Sequence, residues 1–239
     1  MRAPLATELL DLCDAGETAT PMERAVLLLQ AATDGTAAVE QWTVGQVNIG
    51  LLQLRQLLFG RELECLCDCP RCEAIAATRI DIREMLSPAV LPPDHSELTG
   101  LGVGDTPVGV RLPTAADLLA LGRDPQATGA QLLERLLESS KLSPSADAAT
   151  PQLAERAAAQ LARRDPLAHF ELVVDCPSCA HRWTVPFHAI DILWTEITAL
   201  AEQLTHEVAR LAQAFGWCER DILQMSARRR QRYIERFCP

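Results

Sequence analysis

Apolar residues recur at three- and four-residue spacing along most of the chain, which is the pattern of helices that bury one face. In the first part of the chain this spacing predicts helices over residues 5–13, from Pro21 to about Asp34, and from Thr43 to Phe59. The same pattern predicts further helices over 116–121, 129–139, 153–163, 191–215, 219–223 and 227–237. We therefore expect a protein that is mostly α-helical.

A few short stretches between these helices have the alternating pattern of β-strands. They cover residues 75–82, 106–112, 170–174 and 182–187. Residues 87–105 and 143–151 are rich in Pro, Gly, Ser, Asp or Ala, which is typical of loops and linkers. Because the strands are few and short, we predict an α+β fold with one small antiparallel β module, flanking helices and a helical insertion.

Two Cys-Pro-x-Cys motifs, at residues 69–72 and 176–179, are the most informative chemical feature. Two residues between the cysteines allow a tight turn to direct both sulfurs at one ion, and proline presets a backbone angle of that turn. Four thiolates are the ligand set of a closed, tetrahedral structural zinc site. We therefore predict one structural zinc ion in a zinc knuckle or ribbon, bound by Cys69, Cys72, Cys176 and Cys179.

Other interpretations of these cysteines remain open. The motifs are also compatible with a redox dithiol, a disulfide or inert buried thiols. Cys65, Cys67 or His181 is an alternative ligand, because each lies close to a motif in the sequence. Many zinc knuckles have glycine after the second cysteine, where a left-handed backbone is needed, whereas this chain has Glu73 and Ala180 there.

A shared ion would join two distant parts of the chain and so defines four regions. These are an N-terminal helical region (1–64), a zinc-binding β module (65–112 together with 167–190), a helical insertion (113–166) and a C-terminal helical region (191–239). On this interpretation the insertion is an excursion that leaves the β module and returns to it.

Composition and charge narrow the classes of function. The net charge is −10, which argues against nucleic-acid and anionic-membrane binding, because both need a basic surface. The sequence after Met1 has no signal-peptide pattern, and no apolar run reaches the ~20 residues of a membrane span, so we expect a cytoplasmic protein. In that reducing compartment, nine cysteines fit metal binding better than disulfides.

The sequence contains no phosphate-binding glycine loop, nucleophile elbow or HExxH motif, so we expect neither an enzyme nor a small-molecule substrate. An arginine-rich stretch over residues 228–236 is the one basic patch on the acidic chain. It is either a solvated helix face or a docking surface for an acidic partner. The residues that we predict to bind a partner are Trp217, Arg229, Arg230 and Tyr233.

Several motifs together resemble a known family. They are Leu-Arg-x-Leu-Leu-Phe-Gly (54–60), Val-Arg-Leu-Pro-Thr-x-x-Asp-Leu (110–118), Cys-Pro-x-Cys-x-His-Arg-Trp (176–183), Leu-Trp-x-Glu-Ile (193–197, after Phe187 and Asp191) and Gly-Trp-x-Glu-x-Asp-Ile-Leu-x-Met-Ser-x-x-Arg-Arg-x-x-Tyr-Ile-Glu (216–235). These motifs resemble the T-even-phage-like baseplate hub assembly chaperones, whose bacterial members accompany contractile injection systems.

The resemblance implies a non-enzymatic assembly factor that binds baseplate hub or spike proteins before they enter the baseplate. A structural baseplate subunit that stays in the particle is the alternative. A zinc-ribbon nucleic-acid-binding protein is a further alternative, which the acidic charge disfavours. A dithiol oxidoreductase is the third alternative, and it requires a reactive, exposed Cys-Pro-x-Cys motif.

Overall fold

The computed structural model describes residues 1–86, 98–103, 106–122, 124, 126, 128–138 and 151–237. Most of the loop predicted over 87–105 and nearly all of the linker predicted over 143–151 lie outside these residues, as does Cys238. Within the predicted loop, residues 98–103 form a strand, which corrects that part of the prediction.

The described residues form ten α-helices and three two-stranded antiparallel hairpins. The helices are α1 (Ala6–Gly16), α2 (Pro21–Ala32), α3 (Val44–Phe59), α4 (Ile82–Met85), α5 (Ala115–Gly122), α6 (Gly129–Glu138), α7 (Pro151–Arg164), α8 (Ala189–Phe215), α9 (Glu219–Gln224) and α10 (Ala227–Phe237). The strands are β1 (Glu62–Asp68), β2 (Ile75–Asp81), β3 (Leu98–Val103), β4 (Thr106–Val110), β5 (Phe170–Asp175) and β6 (Arg182–Phe187). The predicted mostly helical α+β fold with small antiparallel hairpins is confirmed.

Local sequence signals set the ends of the helices. Thr20 and Thr43 are the N-caps of α2 and α3, and each takes part in a capping box with the residue three positions on, Glu23 or Gln46. Such a box satisfies amide groups that the first helical turn leaves unpaired. At its other end α8 stops at Gly216, which has a φ of 69° that glycine adopts without strain.

The main core lies where α1, α2, α3 and the first half of α8 pack together. Its side chains are aliphatic, as expected from a chain with few aromatic residues, and the most deeply buried are Leu28, Leu29, Leu51, Leu54, Leu193 and Ile197. Burying one such side chain contributes about 2 kcal/mol to stability. The long helix α8 therefore connects this core to the C-terminal region.

The insertion begins and ends against the same place, the N-terminal end of α3. Thr114 forms a bridge with Thr43, and the Asp165 carboxylate accepts a hydrogen bond from the Gly45 amide at 2.8 Å. The Asn48 side chain donates to the Leu167 carbonyl at 2.7 Å. Because α5 also packs against α2, the first part of the insertion contacts the helical core.

Two differences from the predicted elements concern the first hairpin. Strand β1, from Glu62, was not among the predicted strands and begins inside the predicted N-terminal helical region. Ile82, which was predicted to end a strand, instead begins α4, where the Asp81 side chain accepts a hydrogen bond from the Arg83 amide. In the part of the chain that the structure describes, no helix is long and apolar enough to cross a membrane.

Candidate metal centre

Each Cys-Pro-x-Cys motif lies in the turn of a hairpin. In the β1–β2 turn the Cys69 amide donates to the Ala74 carbonyl at 3.0 Å, and the Glu73 amide donates to the Cys69 carbonyl at 2.9 Å. The β5–β6 turn repeats this pattern: Cys176 donates to the His181 carbonyl at 2.9 Å, and Ala180 to Cys176 at 3.1 Å. The two motifs therefore form equivalent knuckles.

The residue after the second cysteine of each motif has a left-handed backbone. Glu73 has a φ of 60° and Ala180 a φ of 53°. Glycine is the usual residue at such a position, because an L side chain is strained there by roughly 1–2 kcal/mol. The knuckle geometry therefore forms without the glycines, and the rest of the turn must supply the energy that holds these two residues in place.

The four motif sulfurs lie close together. The Cys69 and Cys179 sulfurs are 3.7 Å apart, and those of Cys72 and Cys176 are 3.5 Å apart. All four ligand atoms lie within 4.8 Å of one another. Tetrahedral thiolates bound at ~2.3 Å from a common metal ion are ~3.8 Å apart, whereas sulfurs joined in a disulfide are only ~2.05 Å apart. The geometry therefore fits a shared metal ion and not a disulfide.

Burial differs between the two cysteines of each motif. Cys69 and Cys176, which come directly after a strand, are 1% and 4% exposed. Cys72 is exposed and Cys179 is half-buried. The site thus lies at the protein surface, with two sulfurs anchored on the inside and two on the outside. A chelator would reach a bound metal ion from the side of Cys72.

Backbone amides around the sulfurs favour thiolates. The Arg71 amide donates to the Cys69 sulfur at 3.5 Å. Burial raises the pKa of the Cys176 thiol, but the amides of Cys179 and Ser178 and the nearby sulfurs lower this pKa to about 6. The Ala74 amide lowers the pKa of Cys72, but the neighbouring sulfurs together have the larger, opposite effect and raise this pKa to about 12. Crowded thiols hold their protons jointly, and a divalent cation would relieve the repulsion between four thiolates.

The structure does not bring the alternative ligands into this cluster. Cys65 and Cys67 are half-buried on β1, and burial raises the pKa of Cys65 above that of a free thiol. The ring of His181 stacks on that of Trp183, with the ring centroids 5.9 Å apart. Among the described residues, the group of side chains close enough to bind a metal ion consists of the four motif cysteines.

Arg55 anchors the start of the first hairpin, a role that the sequence analysis did not find. Its guanidinium donates to the Glu196 carboxylate at 3.0 and 2.7 Å, and to the Gly60 and Glu62 carbonyls at 2.8 and 2.6 Å. These contacts fix the start of β1 against α3 and α8. Both residues lie in sequence motifs described above, Arg55 in residues 54–60 and Glu196 in residues 193–197.

The predicted partner-binding residues lie on the C-terminal helices. Trp217 and Tyr233 pack edge to face with ring centroids 5.0 Å apart, and the Arg229 guanidinium lies 5.9 Å from the Tyr233 ring centroid. Arg230 differs from its neighbour, since it is 5% exposed and its guanidinium donates to Glu207 at 2.8 Å. Arg230 therefore joins α10 to α8 inside the protein and is not available at the surface.

A comparison of the chain with protein-family models, with curated proteins and with solved structures found no match. The arrangement of the site is therefore the basis for interpreting it. Four sulfurs from two hairpins, 104 to 110 residues apart in the sequence, meet around one point at the surface. This arrangement can hold a metal ion that ties the two hairpins together.

Proposed function

We propose that this protein is a non-enzymatic assembly factor for the hub or spike of a phage-tail-like contractile injection system, with one structural zinc ion. Four cysteine ligands in tetrahedral geometry are typical of structural zinc, which has no redox chemistry of its own and leaves no position for a reacting water. In this role the ion ties the β1–β2 and β5–β6 hairpins together and so fixes a surface that a client protein contacts.

The observation that carries the proposal is that residues of separate family-like motifs are partners in the folded chain. Arg55 of the 54–60 motif pairs with Glu196 of the 193–197 motif, 141 residues away, and Cys176 and Cys179 of the 176–183 motif meet Cys72 and Cys69 of the first hairpin. Residues of motifs that lie far apart in the sequence are therefore joined by direct contacts in the fold. This supports a resemblance that concerns the whole fold and not isolated peptides.

The family-like motif at residues 110–118 is also accounted for by its contacts. The Asp117 carboxylate accepts hydrogen bonds from the Thr114 amide at 2.9 Å and from Arg111 Nη2 at 2.7 Å. Arg135 Nε donates to the same carboxylate at 2.9 Å. These bonds hold the start of α5 and connect it to α6 and to Arg111, the residue after β4, so the motif positions the first part of the insertion.

The client surface that we propose includes the aromatic and basic side chains Trp217, Arg229 and Tyr233. Tryptophan, tyrosine and arginine are the residues that most often dominate the binding energy of protein interfaces. Arg230 contributes indirectly, because its buried pair with Glu207 holds α10 in place. The proposed setting is the cytoplasm, where baseplates assemble before they meet a membrane.

Deletion of the gene in a cell that produces such particles tests this function. The proposal predicts loss of complete particles, recovery on supplying the gene, and little of the protein in finished particles by quantitative mass spectrometry. Normal particle yield without the gene would contradict the proposal. If the protein is instead present in stoichiometric amounts in finished particles, the structural-subunit alternative is correct.

A further inference from the structure

We propose that a groove along the open edge of β1 binds an extended segment of a client protein, which adds a strand to the β1–β2 hairpin. This inference deepens the proposed function, on which it rests, by naming the kind of client segment and its site. The groove has a volume of about 470 Å³, within the range of ~300–1,000 Å³ that is typical of ligand pockets.

The groove follows the edge of β1 and not only one of its faces. Five consecutive residues of β1, from Leu63 to Cys67, line it, although successive side chains of a strand point to opposite faces. No residue of β2 is among the lining residues. The groove therefore runs along the side of β1 that faces away from β2.

Backbone groups of β1 are available on this side. The Cys69 amide bonds Ala74 and the Arg61 carbonyl accepts from Ile82, so the odd-numbered residues of β1 direct their backbone groups toward β2. In an antiparallel pair the intervening residues direct theirs outward. The amides and carbonyls of Glu64 and Leu66 therefore point to the open edge, where an incoming strand would bond them.

The opposite wall of the groove is one face of the start of α8. His188, Asp191, Ile192 and Thr195 line it at helical spacing. Phe187 and Leu172 of the second hairpin provide an apolar side between the two walls. A segment in this groove thus contacts a strand edge on one side and apolar side chains on the other, as an added β-strand does.

The charges around the edge indicate the composition of the segment. Glu62, Glu64 and Asp68 are the exposed acidic side chains of β1, of which Glu64 also pairs with Arg79 of β2 at 3.4 Å, and Asp191 lies on the opposite wall. Opposite charges on neighbouring strands attract, whereas like charges repel. We therefore expect apolar residues alternating with lysine or arginine in the bound segment. The same acidic charges oppose pairing between two copies of β1.

The proposed metal ion would tie together the two hairpins that line this groove. One wall comes from the first hairpin, and the other side comes from the second hairpin and the helix that follows it. The four cysteines join these two hairpins at their turns. Binding in the groove should therefore require the metal-loaded protein, which distinguishes it from a surface carried by a single hairpin.

The test uses the zinc-loaded full chain and a synthetic seven-residue peptide with valine at alternate positions and lysine or arginine between them. We expect the peptide to shift the NMR signals of the Glu64 and Leu66 amides and of Thr195. A peptide of the same sequence with alternate backbone nitrogens methylated should bind at least ~10-fold more weakly, because it cannot pair with an edge.

Two substitutions at one position separate backbone from side chain. Leu66→Pro removes only an amide that points to the open edge, which an edge strand tolerates. This substitution should weaken peptide binding at least ~10-fold. Leu66→Ala keeps the amide and should change peptide binding by less than ~3-fold. Zinc content, measured by elemental analysis, shows whether each variant is folded at the hairpins. If Leu66→Pro does not fold, Thr195→Trp should fill the groove from α8, with Glu202→Trp on the exposed face of that helix as its control.

Three outcomes would overturn the proposal. They are absence of peptide binding, equally tight binding of the methylated peptide, and equal effects of the two substitutions in each pair. Binding that shifts α10 and not β1 would do the same. None of these outcomes depends on particle assembly, so a failed peptide test leaves the assembly function standing. Conversely, normal particles without the gene would contradict that function even if the peptide binds.

Discussion

The guanidinium of Arg55 and the carboxylate of Glu196 form a two-pronged ion pair, with N–O distances of 3.0 and 2.7 Å, across 141 residues of sequence. The Arg55 side chain is 8% exposed and that of Glu196 27% exposed. Because the same guanidinium bonds the carbonyls of Gly60 and Glu62, this pair connects the helical core to the first cysteine hairpin.

Replacing Arg55 with alanine should lower the free energy of unfolding by about 3 kcal/mol, because it leaves a largely buried carboxylate and two carbonyls without their donor. Chemical denaturation measures this change. Arg182→Ala is the matched control: the Arg182–Asp175 pair is also two-pronged but exposed, so its loss should have little measurable effect. Equal effects of the two substitutions would contradict the supporting role of Arg55.

The neighbouring arginines 229 and 230 should give opposite phenotypes. Arg230→Ala should destabilise α10, seen as faster hydrogen exchange over Ala227–Phe237, because it leaves Glu207 buried without its partner. Arg229→Ala should leave exchange unchanged and weaken binding to a purified hub or spike protein, since its side chain is exposed beside Tyr233. If both variants lose client binding only because α10 unfolds, the result would argue against a client-binding surface at the C-terminal helices.

Glycine at the left-handed position of the second knuckle should not destabilise the protein. Ala180→Gly relieves the strain of a φ of 53° in the folded state. Glycine also adds conformational entropy to the unfolded chain, which offsets part of this effect, so the free energy of unfolding should rise by up to about 1 kcal/mol. Ala199→Gly, the same change at an exposed position inside α8, should instead cost about 1 kcal/mol. Thermal unfolding of the two variants checks the opposite signs, and a similar loss in both would refute the strain argument.

Asp117 should make stability depend on acid pH. Burial raises the pKa of this carboxyl, but hydrogen bonds from Arg111, Thr114 and Arg135 hold it well below its usual range. Because the folded state favours the ionised form, its contribution is complete above the unfolded pKa of about 4 and is lost as the pH falls below that value.

Asp117→Asn should therefore be less stable at neutral pH, by about 3 kcal/mol, and its stability should fall less steeply below pH 4. Urea denaturation from pH 3 to 7, with both proteins loaded with the same metal, measures the difference. Since the cysteines and Glu8 titrate in both proteins, the comparison isolates Asp117. Parallel curves would show that this carboxylate is not held in its ionised form by the fold.

The sequence was a good guide wherever a pattern is local. The stripe of Ile197, Leu204 and Leu211 predicted α8, and all three side chains are buried on one face of that helix. The paired cysteine motifs predicted the sulfur cluster, because two such motifs at matched spacing supply the four ligands of one metal ion. The helix starts predicted at Pro21 and Thr43 also agree with those of α2 and α3 to within one residue.

Features that depend on distant partners could not be predicted in this way. Nothing local distinguishes Arg230, which is buried against Glu207, from Arg229, which is exposed. Strand β1 was missed because its pattern carries acidic side chains between half-buried cysteines, and its identity as a strand depends on pairing with β2. The groove beside it exists only after two hairpins from distant parts of the chain have come together.

Native mass spectrometry of the intact chain, purified without added metal, tests most directly whether one metal ion joins the two hairpins. The account predicts one zinc ion per chain with the thiol protons displaced, and loss of that ion in the Cys72→Ser variant. A mass that corresponds to the metal-free chain with all thiols protonated, or to a chain lighter by the two hydrogens of a disulfide, would contradict it.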